Sequence, residues 1–165
     1  MKKIVSVVLF ILFCQSFAYA GAAIPEDTKI ILKRGMCFGT CPGYTLTIFA
    51  DGKVVYEGER YVRILGHQEK TIPVDKLRQL LEKFSEMDFP SLVAKIAALD
   101  CNYYVFDGPS TEVSLIKNGK SFTAIHGEKC NTDSLFNLLD NLAKIIDDTV
   151  DVKDWTSPPE FEKKK

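Results

Sequence analysis

The chain has 165 residues, and its 21 basic and 22 acidic side chains leave a formal net charge of −1. No basic patch or arginine-rich stretch exceeds Lys163-Lys164-Lys165, so the charge pattern gives a nucleic-acid partner no support. Residues 21–165 are enough for one domain with its own core and too few for two ordinary ones.

Lys2 and Lys3 precede an apolar run from Ile4 to Phe13 interrupted only by Ser6, and Ala18-Tyr19-Ala20 stands before Gly21. This is the pattern of a secretory signal peptide over residues 1–20, with cleavage expected after Ala20. The run falls well short of the roughly 20 residues that span a hydrocarbon core. Phe13 stands where lipidation of Cys14 would need a small residue. The expectation is a secreted or periplasmic protein with no stable membrane anchor after cleavage. One domain, 21–155, then precedes a flexible tail, 156–165, that opens around Ser157-Pro158-Pro159.

An edge strand is expected at about Thr28 to Lys33, followed by Cys37-Phe38-Gly39-Thr40-Cys41-Pro42. From Tyr44 to Gly58 the chain reads strand, turn, strand, with Asp51-Gly52 as the turn. Tyr44, Leu46 and Ile48 alternate with Thr45 and Thr47, which places one face of this hairpin on a core and the other in water. An extended piece is expected around Tyr61 to Leu65. Pro73 then opens a helix whose Val74, Leu77, Leu80, Leu81, Phe84 and Met87 recur at helical spacing until Phe89-Pro90.

Leu92, Val93, Ile96 and Ala97 allow a short helix, and Cys101 to Pro109 reads as an irregular aromatic segment. The hairpin pattern returns 67 residues after the first, with Asn118-Gly119 as its turn and His126 at its end. A second helix starts near Asn131 or Thr132 and carries Leu135, Leu138, Leu139, Leu142, Ile145 and Ile146 on one stripe. The expected class is α+β: an antiparallel sheet built from two hairpin-helix units, with the helices packed on one face.

Cys37, Cys41, Cys101 and Cys130 survive signal cleavage, an even number that implies two disulfides in an oxidising compartment. Three connectivities are open. The preferred one joins Cys37 to Cys41 through a turn at Gly39, and Cys101 to Cys130 across the outer ends of the second hairpin. Extended chain from Cys37 to Cys41 would span about 13 Å, beyond the roughly 7 Å Cα limit of a disulfide, so that pair demands the turn.

The Cys37–Cys41 segment admits three readings: a structural disulfide, a redox-active thiol pair, or a copper site with His126 or His67. Its Cys-x3-Cys-Pro spacing superficially resembles the copper site of periplasmic assembly factors of cytochrome oxidase, but the chain lacks their thioredoxin-like βαβ pattern. His126 reads as a partly buried, hydrogen-bonded strand-end residue and His67 as an exposed one. No serine elbow, phosphate-cradling glycine loop or zinc-protease helix motif is present. Catalytic residues and cofactors are therefore assigned as none, with copper as the alternative. Asp147 and Asp148 oppose the dipole of the second helix, so either that helix ends early or they meet a partner. The bridged loops are the candidates for a recognition surface, at Phe38, Tyr103, Tyr104 and Asp107, against the favoured reading that Tyr103, Tyr104 and Phe106 cover one end of the core and Asp107 forms a turn.

From Cys37 through Pro42 and Tyr44 to Asp51-Gly52 and Val55-Tyr56-Glu57-Gly58, the chain resembles a bacterial family known only as a domain of unknown function. Its members open with Cys-x-Gly-x-Cys-Pro-x-Tyr and end with a helix closing in Ile-Asp and a later Trp, matched here by Ile146-Asp147 and Trp155. Asp107-Gly108-Pro109 fits the family's Asp-x-Pro before the second hairpin. The resemblance implies the fold and an extracytoplasmic site, and brings no activity or substrate with it. The functional expectation is a non-enzymatic domain that binds another protein or an envelope component. Its alternatives are a thiol redox or copper-binding protein using Cys37 and Cys41, and a periplasmic immunity or inhibitor protein.

Overall fold

The computed structural model describes residues 23–35, 37–99, 108–127 and 134–157. In chain order the elements are β1 (Lys29–Arg34), β2 (Gly43–Phe49), β3 (Lys53–Arg60), β4 (Gly66–Thr71), α1 (Val74–Glu86) and α2 (Phe89–Ala97). They continue with β5 (Thr111–Lys117), β6 (Lys120–His126), α3 (Ser134–Val150) and α4 (Lys153–Thr156). The six strands form one antiparallel sheet in the order β4-β3-β2-β1-β5-β6. The fold is α+β.

Alternation decides which face is covered. Ile30 and Leu32, Leu46 and Ile48, Val54 and Tyr56, and Val113 all lie buried on one phase of their strands, with Ala124 joining them from β6. The helices pack there through Leu77, Leu80 and Phe84 of α1, Phe89 and Leu92 of α2, and Leu139, Leu142 and Ile146 of α3. Lys33, Thr45, Thr47 and Glu112 occupy the other phase and face solvent. Ser114 is the buried polar exception on that face, hydrogen bonded to Thr123 at 2.8 Å.

β1 is not the edge strand expected from its place in the sequence; it lies between β2 and β5. Its run Ile30-Ile31-Leu32 is apolar on both phases, which suits a central strand and leaves an edge open to unwanted pairing. Each β1 residue faces one β2 residue and the β5 residue 67 positions later: Lys29 meets Phe49 and Ile116, and Arg34 meets Tyr44 and Thr111. The two hairpins thus flank β1 with their first strands innermost.

The piece at Tyr61–Leu65 is a bend and not a strand, and the fourth strand is the polar Gly66–Thr71. Being at an edge and buried on neither face, β4 carries no apolar alternation; its ladder to β3 alone defines it. At the second hairpin, Asn118 (φ 53°) and Gly119 (φ 69°) form the left-handed pair that a two-residue turn requires. The Asp27 carboxylate accepts both of their N–H groups, at 3.0 and 2.6 Å, tying the first turn of the domain to this hairpin.

α3 crosses the strands. Asp140 reaches His126 on β6, Asp147 reaches Arg34 on β1 and Tyr44 on β2, and Trp155 of α4 stacks on Tyr56 of β3 with the Lys70 ammonium of β4 over its ring. Seven residues of helix advance about 10.5 Å, close to the roughly 9.6 Å of two strand spacings, so acids at 140 and 147 fall over strands two apart. Among the described residues no helix is long and apolar enough to cross a membrane.

Candidate functional site

Where β1 and β6 end and β2 and β5 begin, register places Tyr44, Arg34, Thr111 and His126 in one row on the helix-covered face. A β-bulge at Gly43/Tyr44 sets the end of this row. The Arg34 guanidinium donates Nη1–H to Thr111 Oγ1 at 3.0 Å and Nη2–H to Asp147 Oδ2 at 2.7 Å. Tyr44 Oη donates to the other Asp147 oxygen at 2.8 Å. Both carboxylate oxygens of Asp147 are therefore engaged.

Burial and pairing oppose one another in this trio. Burial alone lowers the Arg34 pKa, but the adjacent Asp147 charge outweighs it and the guanidinium ends above its ordinary value. Burial raises the Asp147 carboxyl, against the pull of Arg34 and Tyr44. The phenol of Tyr44 is driven far above its ordinary range by burial first and the neighbouring carboxylate second. With a 2.7 Å guanidinium contact on Asp147, we take the pair as ionised at neutral pH.

At the other end of the row the His126 ring is held from two sides by α3. It stacks on Phe136 at a centroid distance of 4.5 Å, and its Nδ1 lies 2.9 Å from Asp140 Oδ2. A carboxylate can only accept, so Nδ1 carries the proton and Nε2 is left to the cleft. Among the described residues Nε2 has no hydrogen-bond partner. The His126 side chain is 15% exposed.

These side chains line an open cleft of about 510 Å³ together with Gly35, Cys41, Pro42, Gly108, Pro109, Ser110 and Gly127. Gly35 is required by close approach: its N–H donates to Ser110 O at 2.8 Å, and a Cβ there would overlap Ser110 Oγ. On the cleft rim Cys37 and Cys41 are joined in a disulfide with Cα atoms 5.6 Å apart, as the turn at Gly39 implied. The bridge closes a tip of Phe38, Gly39 and Thr40, and Phe38 is 89% exposed.

A family model described as Domain of unknown function (DUF6438) matches residues 28–146. The chain belongs to the DUF6438 family. Asp147 lies one residue beyond the matched segment, which holds every other cleft residue named above. No curated protein matches the chain.

Of the DUF6438 residues singled out in sequence, the fold brings Cys41 and His126 to one cleft and leaves Phe38 exposed in the loop that the disulfide closes. His67 is not among them: it sits on β4, exposed, between Glu57 and Glu69, whose hydrogen bonds raise its pKa. Cys101, Cys130, Tyr103, Tyr104 and Asp107 lie outside the described residues. Since the sulfurs of Cys37 and Cys41 are bonded to each other, copper ligation with His126 would first require their reduction. Among the described residues no group of three or more His, Cys, Asp or Glu side chains is arranged to hold a metal.

Sequence reasoning did not assign Arg34, Tyr44, Thr111, Asp140 and Asp147 to a site. One signal was available, the acid at 147 that opposes its helix dipole, and its partner proves to be Arg34. The second acid, Asp148, pairs with Lys144 one turn earlier on α3.

Proposed function

We propose that this DUF6438 domain is a non-enzymatic binding module of an oxidising, extracytoplasmic compartment, and that the cleft over Arg34 and His126 is its ligand site. The observation that carries this reading is a set of polar groups fixed in advance. Arg34 and His126 are each locked by an α3 carboxylate and still have unused hydrogen-bonding capacity toward an open cleft. Such pre-organisation lowers the ordering cost of binding. The cleft volume lies within the range of small-ligand and peptide pockets.

Nucleophilic chemistry has little to build on here. Tyr44 donates its hydroxyl to Asp147, Thr111 Oγ1 accepts from Arg34, and among the described residues no hydroxyl or thiol, Ser110 of the cleft included, bonds His126. The disulfide supports an oxidising compartment, consistent with removal of residues 1–20 as a signal peptide. The partner is a protein or another envelope component. An immunity or inhibitor protein is a special case, for which the exposed Phe38 tip would serve as the anchor.

The test is capture from envelope extracts on immobilised mature protein, compared with an Arg34→Met/His126→Phe variant whose fold is checked by circular dichroism. A component retained by the first and lost by the second is expected. Equal retention, or nothing above background under several conditions, overturns the reading. A second reading is favoured by Cys41 lining the cleft, namely that the Cys37–Cys41 pair exchanges with a thiol substrate bound there. Native alkylation at a thioredoxin-like potential would reveal it, and an inert bridge would eliminate it.

A further inference from the structure

The cleft carries more information than its existence, because the hydrogen-bonding groups left over after its internal pairs are formed can be counted. Arg34 has five N–H bonds and gives two to Thr111 and Asp147, with the Tyr44 hydroxyl also beside the guanidinium, so at most three donors remain. Asp147 accepts from Arg34 through one oxygen and from Tyr44 through the other, so neither of its oxygens lacks a donor. His126 donates through Nδ1 to Asp140, so Nε2 is an acceptor while the ring is neutral.

Charge narrows the choice. Arg34 faces a full counter-charge at 2.7 Å, and Asp140 adds a second carboxylate beside the imidazole. An anionic ligand would therefore enter between two acids and gain only what Asp147 leaves of the guanidinium's field. A cationic ligand would meet the guanidinium charge of Arg34. A neutral group with an acceptor at one end and a donor at the other matches both sides. Arg34 and His126 stand on strands two apart, so their Cα atoms are about 9.6 Å from each other, with Thr111 between them in the row.

We infer that the cleft binds a neutral peptide segment, with a backbone carbonyl received by Arg34 N–H and a backbone N–H donated to His126 Nε2. This inference rests on the reading of the cleft as a binding site and names its ligand class. A secondary amide is the group that combines those two features. The remaining walls suit the same occupant: Cys41, Pro42 and Pro109 offer apolar surface to its side chains. Thr111, 5% exposed, separates the two anchors and spends its oxygen on Arg34.

The experiment titrates the mature protein with four probes while the Nε2 resonance of His126 and the side-chain resonances of Arg34 are followed by ¹⁵N NMR. The probes are a capped trialanine, acetyl at one end and N-methylamide at the other, then sodium acetate, methylammonium chloride, and the trimer of N-acetylglucosamine. The capped peptide is expected to shift both residues saturably. Arg34→Lys, which keeps the charge and loses the fork, and His126→Phe, which keeps the stack on Phe136 and loses Nε2, should each weaken it by about tenfold, the scale of losing one partner of a hydrogen bond. Acetate or methylammonium binding in place of the peptide overturns the neutral-amide assignment. Binding of the sugar trimer alone overturns the peptide. If no probe perturbs these nuclei while an envelope component still requires Arg34 and His126 for capture, the ligand class is wrong and the binding reading stands. If capture fails as well, both fall.

Discussion

Asp147 sits in the last turn of α3, where the helix dipole disfavours an acid, and it is kept there by two donors from the sheet. Removing it as Asp147→Ala strands a guanidinium and a phenol that are both largely buried, so we expect a loss of about 1–3 kcal/mol in urea unfolding. The double substitution Arg34→Met/Asp147→Leu should cost less than Asp147→Ala alone, because no uncompensated charge remains. An equal or larger cost would show that the pair stabilises the fold beyond compensating itself.

Tyr56 supplies a second test at this scale. It is fully buried between Tyr44 and Trp155, donates to Ile64 O at 3.1 Å, and burial pushes its phenol up to about 12. A phenol with a raised folded pKa contributes its full stability below the unfolded value of about 10 and loses it as pH rises toward 12. Between these limits the unfolded chain has lost the proton and the native one has not, so stability falls. Tyr56→Phe should flatten that fall, read as a shallower drop in melting temperature from pH 10 upward.

At the scale of elements, the loops and helices hold the site more than the ladder does. The β1–β2 connection begins at Gly35, where a Cβ would run into the Ser110 side chain and force it to move. Gly35→Ala should destabilise by roughly 1–3 kcal/mol, and adding Ser110→Ala should recover part of it, since the overlapping Oγ is then gone. Failure of the second change to help would place the strain elsewhere. α4 is a single short turn, yet Trp155 stacks on Tyr56 at 4.9 Å and its carbonyl accepts Ile64 N–H at 3.0 Å. Trp155→Ala is expected to cost about 3–5 kcal/mol and to loosen the Tyr61–Leu65 bend, visible as faster amide exchange there. The short helix read from Leu92 to Ala97 is present as part of α2, and β4 was not legible, because an edge strand with no buried face leaves no apolar period.

For the molecule as a whole, the Cys37–Cys41 bridge lies at the end of the sheet that carries the cleft. Replacing Cys37 and Cys41 together by Ser should lower stability by about 2 kcal/mol on chain-entropy grounds, measured as a shift in denaturant midpoint with unchanged slope. A cleft that still bound its ligand with equal affinity would restrict the bridge to a structural role. Alternation along β2, β5 and β6, the Asp-Gly and Asn-Gly turns, and the stripes of α1 and α3 specify the α+β class and the covered face. They do so because periodicity is local: a residue's phase in its own element settles whether it faces core or water. The Cys37–Cys41 pairing was the connectivity that spacing preferred for the same reason, since a turn at Gly39 is a local matter, and the structure holds it. Only tertiary structure put β1 at the centre and drew Arg34, Tyr44, Thr111 and His126 into one row under Asp140 and Asp147. Strand order and helix crossing are set by long-range packing, and no spacing along the chain announces which acid on a helix will meet which base on a strand.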